Sequence, residues 1–439
     1  MLALRLSRSA HPAVQLRRLL VAAASAGTGF LLLCTLGHAL THPEASATSV
    51  LRLAWCVIPL AATVYFALAV ARTDPGTRPR PGLAAIGLGP VRLLAVSATT
   101  TALSTLLGSM LALLLFLHLR GDLTGMPFDG AAAGFLAADA DLPLPATLTL
   151  LSLVPLASSV SVALMLRPRD TRLAARAAAP KLFGTAGALR PGGTGAGRAT
   201  PGPRTGDDQV RAGADAHSAS EVTPGAEPAA APESRIERPD PTDLPWGAAL
   251  LAAGLAVEGY ASRTATGADV PLPTGLPTGP AAVLLGWTLT ALGLALAGPG
   301  LTHLCGRLLQ AVRPGALRLL AGRGLMEESA RIGRPLGVVC AVASGAYTMA
   351  VLYDPSDPAF GPLTTLGALV VAGSTVATLV TAAVEARQAR AETTAALLRL
   401  GAPTKTLRSA AALRTGALLA LFVPLTLVVA ELAALPLAR

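Results

Sequence analysis

Long apolar runs alternate with short arginine-bearing segments along the 439 residues of this chain. A helix needs about 20 consecutive apolar residues to cross a bilayer, and nine segments read as spans on that rule. They are Leu19 to Leu40, Leu51 to Ala71, Leu93 to Leu117, Pro145 to Leu166, Pro245 to Ala261, Ala281 to Leu304, Leu336 to Tyr353, Leu363 to Val384 and Ser409 to Leu435. The fifth is the shortest and contains Glu258. Arg5, Arg8, Arg17 and Arg18 precede the first run, which is too long for the core of a cleavable signal and fits a first spanning helix. The expected fold is therefore an all-α polytopic membrane protein with about nine transmembrane helices.

The segments between the runs differ in a regular way. The N-terminus, Arg72 to Arg92, Arg167 to Asp243, Arg307 to Arg334 and Glu385 to Arg408 are rich in arginine. Thr41 to Val50, His118 to Leu144, Ser262 to Pro280 and Asp354 to Pro362 are poor in it, and two of these lean acidic. Positive loops stay in the cytoplasm. One orientation satisfies every loop, with the N-terminus cytoplasmic and the C-terminus outside the cell membrane.

Composition agrees with a lipid solvent. Hydrophobic residues make up 52% of the chain and charged residues only 14%, against roughly 25% charged in soluble domains. Mean hydropathy is +0.57. The net charge of +10 resides in the loops where topology requires it, so it gives no reason to expect nucleic acid. Arg167 to Asp243 differs from the other loops. It is rich in Pro, Gly, Ala, Ser and Thr, lacks apolar periodicity and reads as a disordered cytoplasmic linker.

The two ends of the chain repeat each other. Leu83-Ala-Ala-Ile-Gly-Leu-Gly-Pro90, followed by Arg92 and an apolar run, matches Ala395-Ala-Leu-Leu-Arg-Leu-Gly-Ala402, followed by Lys405, Arg408 and an apolar run. Aligning Gly89 with Gly401 sets an offset of about 312 residues. It lays the second span on the eighth and the third on the ninth, with the first falling on the seventh after a small slip. Paired spans are six apart, so the halves run the same way through the membrane. This disfavours inverted-repeat transporters, although transporters with parallel halves exist. The chain divides into a first half of four spans (1–166), the linker (167–243), two connecting spans (244–304) and a second half of three spans (305–439).

The segment between the eighth and ninth spans has its own character. Val384 to Arg399 can form a helix with Arg387, Arg390 and Glu392 on its surface, and Ala396, Leu397 and Leu400 make a short apolar patch. Gly401 and Pro403 then break it. Such a helix suits the headgroup layer or a groove in a cytoplasmic partner.

An apolar span, then E-x-R-x-x-R-A-E-x-x-x-x-L-L-R-L-G-A, a basic step and another span resembles the FtsX-like permease family. Its relatives include the MacB and lipoprotein-release permeases. Glu385 to Arg408 carries the resemblance. Arg72 to Arg92 keeps the glycine spacing without the acidic residue, and Met326 to Arg334 is similar to the basic stretch that leads into a family repeat. The resemblance implies the permease subunit of an ABC transporter, working with a separate ABC ATPase chain and as a homo- or heterodimer with another permease. It assigns ATPase coupling to Arg387, Arg390, Leu397, Leu398 and Gly401, with Gly89 and Arg92 in the first half. Two departures stand out. The longest outer loop, His118 to Leu144, leaves no large extracytoplasmic domain. The repeat also calls for a tenth span matching Pro145 to Leu166, which would begin beyond Arg439, as in a natural nine-span variant or a truncated chain.

Other chemistry is sparse. No G-x-x-x-x-G-K-[ST] loop occurs, so no P-loop binds ATP here. The histidines lack metal-ligand spacing, although His38 and His42 stand four apart at the outer end of the first span. No nucleophile motif, cofactor site or catalytic group is expected. Cys34, Cys56, Cys305 and Cys340 read as small buried hydrophobes, with a Cys34–Cys56 disulfide conceivable near the outer face. Glu258, Glu431 and Arg414 are charges within spans. All lie within about two turns of a span end, where snorkelling to the interface is expected, and Arg52 or Arg263 can pair with the two acids. Two other functions remain open: a secondary transporter, which needs a polar site at mid-membrane, and a membrane scaffold whose linker recruits partners.

Overall fold

A computed structural model describes residues 12–74, 90–123, 129–166, 243–264, 269–270, 279–311, 315–351 and 361–435. The expected linker lies outside these residues. So does Gly89.

Eleven helices follow in chain order among the described residues. They are α1 Pro12–Thr41, α2 Ser46–Trp55, α3 Val57–Thr73, α4 Pro90–Arg120, α5 Leu144–Met165, α6 Asp243–Thr264, α7 Ala281–Ala311, α8 Ala316–Val351, α9 Pro362–Ala389, α10 Ala391–Arg399 and α11 Thr404–Ala434. A two-residue antiparallel pairing, Asp269–Val270 with Gly279–Pro280, joins α6 to α7. Nine helical segments among the described residues are long and apolar enough to cross a membrane, α2 with α3 and α9 with α10 each counting as one. The fold is an all-α polytopic membrane protein, and no large domain stands outside the bundle among the described residues.

The helices outrun the apolar spans at several ends. The arginine-rich stretch expected as a loop from Arg307 to Arg334 is mostly helix: α7 continues to Ala311, and α8 begins at Ala316. At 1.5 Å per residue, the 36 residues of α8 reach about 54 Å, against a hydrocarbon core of about 30 Å. A long piece of α8 therefore projects on the arginine-rich side, termed the basic face below. Gly322 and Gly324 are buried within that projection, so neighbouring segments cover part of it.

Close approach of backbones holds the bundle together. α6 and α7 form an antiparallel hairpin in which Gly247 meets Ala297, Leu251 meets Gly293, Gly254 meets Thr290 and Glu258 meets Gly286. The steps are four, three and four residues on both helices, which is left-handed coiled-coil spacing. α7 then meets α8 in the same manner, with Gly306 against Gly322, Gly298 and Pro299 against Gly333, and Leu294 against Gly337. A Cβ at Gly298, Gly333 or Gly337 would collide with facing backbone. Small residues at such seams let van der Waals contact replace the hydrophobic drive that lipid removes.

The two halves share one arrangement. In the first, α1 packs on both α3 and α4, which meet each other only marginally; in the second, α8 packs on both α9 and α11. α1 and α4 run in the same direction, and Ser25 Oγ donates to the Thr105 carbonyl at 2.7 Å. α8 and α11 do likewise, with Ser344 Oγ donating to the Thr426 carbonyl at 3.2 Å and Thr348 Oγ1 to the Ala430 carbonyl at 3.3 Å. The partners are about 80 residues apart in both halves. α3 and α9, equivalent in the repeat, pack against each other, with Ala377 beside the Phe66, Ala67 and Val70 cluster. At the repeat offset Ala377 corresponds to Tyr65, so equivalent levels of the two halves meet. α5 packs on α4, α3 and α1.

At the opposite face, residues 129–143 fold as turns over the helix ends. Leu136 inserts among Leu33, Cys34, Phe116 and Leu151. Gly121 and Gly130, both at positive φ, make the reversals that bring this segment back over α4. The buried Arg120 donates from Nη2 to the Ala140 carbonyl and pairs with Asp122 at 3.5 Å.

The hairpin register predicts the outcome of enlarging one seam residue. Gly293→Val forces α6 away from α7 and lowers stability by about 1–3 kcal/mol, read as an earlier thermal unfolding in lipid nanodiscs. Gly259→Ala, whose Cβ meets nothing within 4 Å, leaves the unfolding temperature within error of the parent.

Candidate functional site

Three elements converge on the basic face: the projecting end of α8, the elbow between α9 and α10, and the first turns of α11. α9 ends at Ala389, and the chain bends at Arg390 before α10 starts at Ala391. Arg390 stabilises the bend from its own side chain. Its Nε donates to the Ala386 carbonyl at 3.1 Å and pairs with Glu328 Oε1 of α8 at 2.6 Å. Glu328 is 8% exposed whereas the Arg390 side chain is 33% exposed, so the carboxylate is the shielded partner, and removing its cation would leave a buried charge uncompensated.

Arg414 approaches the same carboxylate from α11. Its guanidinium lies flat over Gly324, where any Cβ would collide with it. One nitrogen donates to the Leu320 carbonyl at 3.3 Å, and Nε has no hydrogen-bond partner. Its charge acts on Glu328 together with those of Arg390, Arg331 and Glu327. Arg414 thus turns inward onto α8 rather than outward to the interface, because Gly324 leaves room for the planar group.

α10 itself stands out from the bundle with no buried residue. Leu397 is half-buried, while Leu398 is 43% and Leu400 84% exposed. The helix stops by a Schellman motif. Gly401 sits at φ +86°, its N–H donates to the Leu398 carbonyl at 3.0 Å, and the Ala402 N–H donates to the Leu397 carbonyl at 3.0 Å. Pro403 then starts α11. The chain leaves α9, presents one short helix and re-enters the bundle within 14 residues (390–403).

Of the coupling residues expected from sequence, Arg390, Leu397, Leu398 and Gly401 belong to this elbow. Arg387 is exposed at the end of α9, and Arg92 is exposed on the first turn of α4. Glu328 escaped notice because Met326 to Arg334 reads as a basic stretch. Its signal was a carboxylate among arginines at the start of a repeat. The first half carries a similar tie with the charges exchanged: Arg18 of α1 pairs with Asp74, just past α3, at 2.5 Å. α1 corresponds to α8 and α3 to α9, so both halves fasten their first helix to the end of their second.

Of the two acids within spans, Glu258 departs from the snorkelling expectation and Glu431 does not. Glu258 is fully buried between α6 and α7. It accepts a hydrogen bond from Thr290 Oγ1 at 3.0 Å, its Oε2 has no hydrogen-bond partner, and Gly286 provides the space beside its stem. The hairpin is too close-packed there for the side chain to turn outward. Glu431 is exposed and accepts from Tyr347 Oη at 2.6 Å. Among the described residues neither acid forms an ion pair with Arg52 or Arg263. All four cysteines are free and buried, so Cys34 and Cys56 form no disulfide. The His38 and His42 rings stack with centroids 4.4 Å apart. Among the described residues, no group of three His, Cys, Asp or Glu is placed to hold a metal ion.

A scan against protein-family models gave no match, and neither did searches of curated proteins and of solved structures.

Thr290→Val removes the one hydrogen bond that the Glu258 carboxyl accepts among the described residues. Its expected effect is a loss of about 1–3 kcal/mol, measured by thermal unfolding in nanodiscs. Thr290→Ser restores most of it.

Proposed function

We propose that the chain is the transmembrane subunit of an ABC transporter, lying in the cell membrane with its basic face in the cytoplasm. The observation that carries the reading is the α9–α10–α11 elbow. A short helix with two exposed leucines is held out from the bundle on the arginine-rich side. It is tied at its start to α8 by Arg390–Glu328 and stopped by Gly401. An isolated helix of nine residues is too short to be stable alone in water. This one is built where a partner's groove can take its apolar face. The partner is a separate nucleotide-binding chain, since this one has no P-loop. The Glu385 to Arg408 pattern, similar to the coupling stretch of FtsX-like permeases, supports the same assignment.

Force applied to α10 reaches the bundle by two routes. One is covalent, through α9 and α11. The other is ionic, through Glu328 into α8 and, by the glycine seams, into α7 and α6. By these routes ATP hydrolysis in the partner would be coupled mechanically to export or to work at the membrane, with no catalytic group in this chain.

Two measurements test the reading. Co-purification of an ATPase chain is expected with the parent and to fall roughly a hundredfold or more with Leu397→Asp/Leu398→Asp. Each buried leucine contributes about 1.5–3 kcal/mol. α10 has no buried residue, so the variant still folds, and equal recovery contradicts the coupling role. The orientation is tested separately. The four native cysteines are buried, so a membrane-impermeant thiol reagent added to intact cells labels Gly134→Cys and spares Ala395→Cys. The reverse pattern overturns the orientation.

A further inference from the structure

Glu328 is a buried carboxylate with two arginines from two different elements around it. Only Arg390 is bonded to it. Arg414 contributes its charge but spends its hydrogen bond on the Leu320 carbonyl, leaving Nε without a partner. The like charges of Arg390 and Arg414 also act on each other. Two cations from other elements beside one carboxylate, in addition to Arg331 on its own helix, form a competition rather than a simple pair.

We infer that Glu328 passes from Arg390 to Arg414 when α10 moves away from α8, so that the elbow is released without leaving a buried charge alone. A carboxylate only 8% exposed strongly resists losing its one cation. With Arg390 as sole partner, the elbow would be fixed. With Arg414 already over Gly324 on the same helix, release exchanges one arginine for another. Arg390 stands at the elbow where α9 ends, whereas Arg414 is on the long helix α11, packed on α8. The static arginine therefore takes over from the moving one. Gly324 is part of the device, since a side chain there would lift Arg414 away from α8. Glu327 is exposed and Arg331 lies one turn further along α8. Both act on Glu328, but they travel with it and cannot respond to the elbow.

The inference adds a release mechanism to the coupling role proposed for α10. Its test uses no ATPase, so the two readings fail separately. The full chain in lipid nanodiscs is measured as the parent and as Arg390→Gln, Arg414→Gln and the double variant. Alone, each change shifts the unfolding temperature modestly, because the other arginine still neutralises Glu328. Together they lower it by clearly more than the sum of the single shifts. Adding Glu328→Gln to the double variant recovers much of the loss, which identifies the uncompensated carboxylate as its cause. Backbone amide exchange over residues 391–399 gives the direction: it rises several-fold in Arg390→Gln and falls below the parent in Arg414→Gln and in Gly324→Ala. Additive shifts in the cycle overturn the inference. So does faster exchange of α10 in Arg414→Gln, the result expected if Arg414 merely braces α8.

Discussion

In lipid a helix gains nothing by hiding apolar side chains from its surroundings, because the acyl chains are as apolar as leucine. Cohesion must come from atoms meeting more closely than lipid can meet them. The seams of this protein answer that constraint. Gly254 and Gly293 let α6 and α7 touch backbone to backbone, and Gly298, Gly333 and Gly337 do the same for α7 and α8. Besides Glu258 and Gln310, the buried polar groups of the helix contacts among the described residues are mostly Ser and Thr, many of which return their hydroxyls to carbonyls one turn back, as Thr302 does to Gly298. A few cross between helices, such as Thr28 with Thr63 at 2.9 Å and Ser109 to the Leu151 carbonyl at 3.1 Å.

Those seams matter for the basic face because they fix α8. A helix of 36 residues that projects beyond the bilayer transmits motion only if its base is rigid, and the α6–α7 hairpin supplies that base. On the projecting part, Glu328 and Gly324 receive the two arginines that come from α9–α10 and from α11. The first half is fastened at the comparable place by Arg18 and Asp74. With the polarity exchanged, the two halves are fastened at comparable places without sharing the residues that do it.

Much of this was legible in the sequence, and the exceptions have physical causes. Length and apolarity alone placed nine spans, including the short fifth one around Glu258. The parallel repeat was legible through Gly89 and Gly401, and the structure adds the recurring α1–α4 and α8–α11 pairing. The projection of α8 was not legible. Its charged residues, from Arg318 to Arg334, interrupt the apolar signal while remaining compatible with helix. The fate of Glu258 was misjudged because depth along a helix does not reveal which side faces a neighbour; Gly286 and Thr290, 28 and 32 residues later, decide it. The Glu328–Arg390 pair joins residues 62 apart, and no local pattern specifies it. The stop of α10 was readable because Gly401 and Pro403 are local signals, but the bend at Arg390 was not, since Val384 to Arg399 reads as one continuous helix.

The central claim is that α10 meets a nucleotide-driven partner. The most direct test places a photo-activated cross-linking residue at position 398, in membranes of the native host that contain its ATPases, with the exposed Leu419 of α11 as reference. The account predicts a cross-link from position 398 to an ATPase that changes in yield with bound nucleotide, and lipid adducts alone from position 419. Lipid adducts alone from position 398 would contradict it, making α10 a helix of the membrane surface rather than a coupling element.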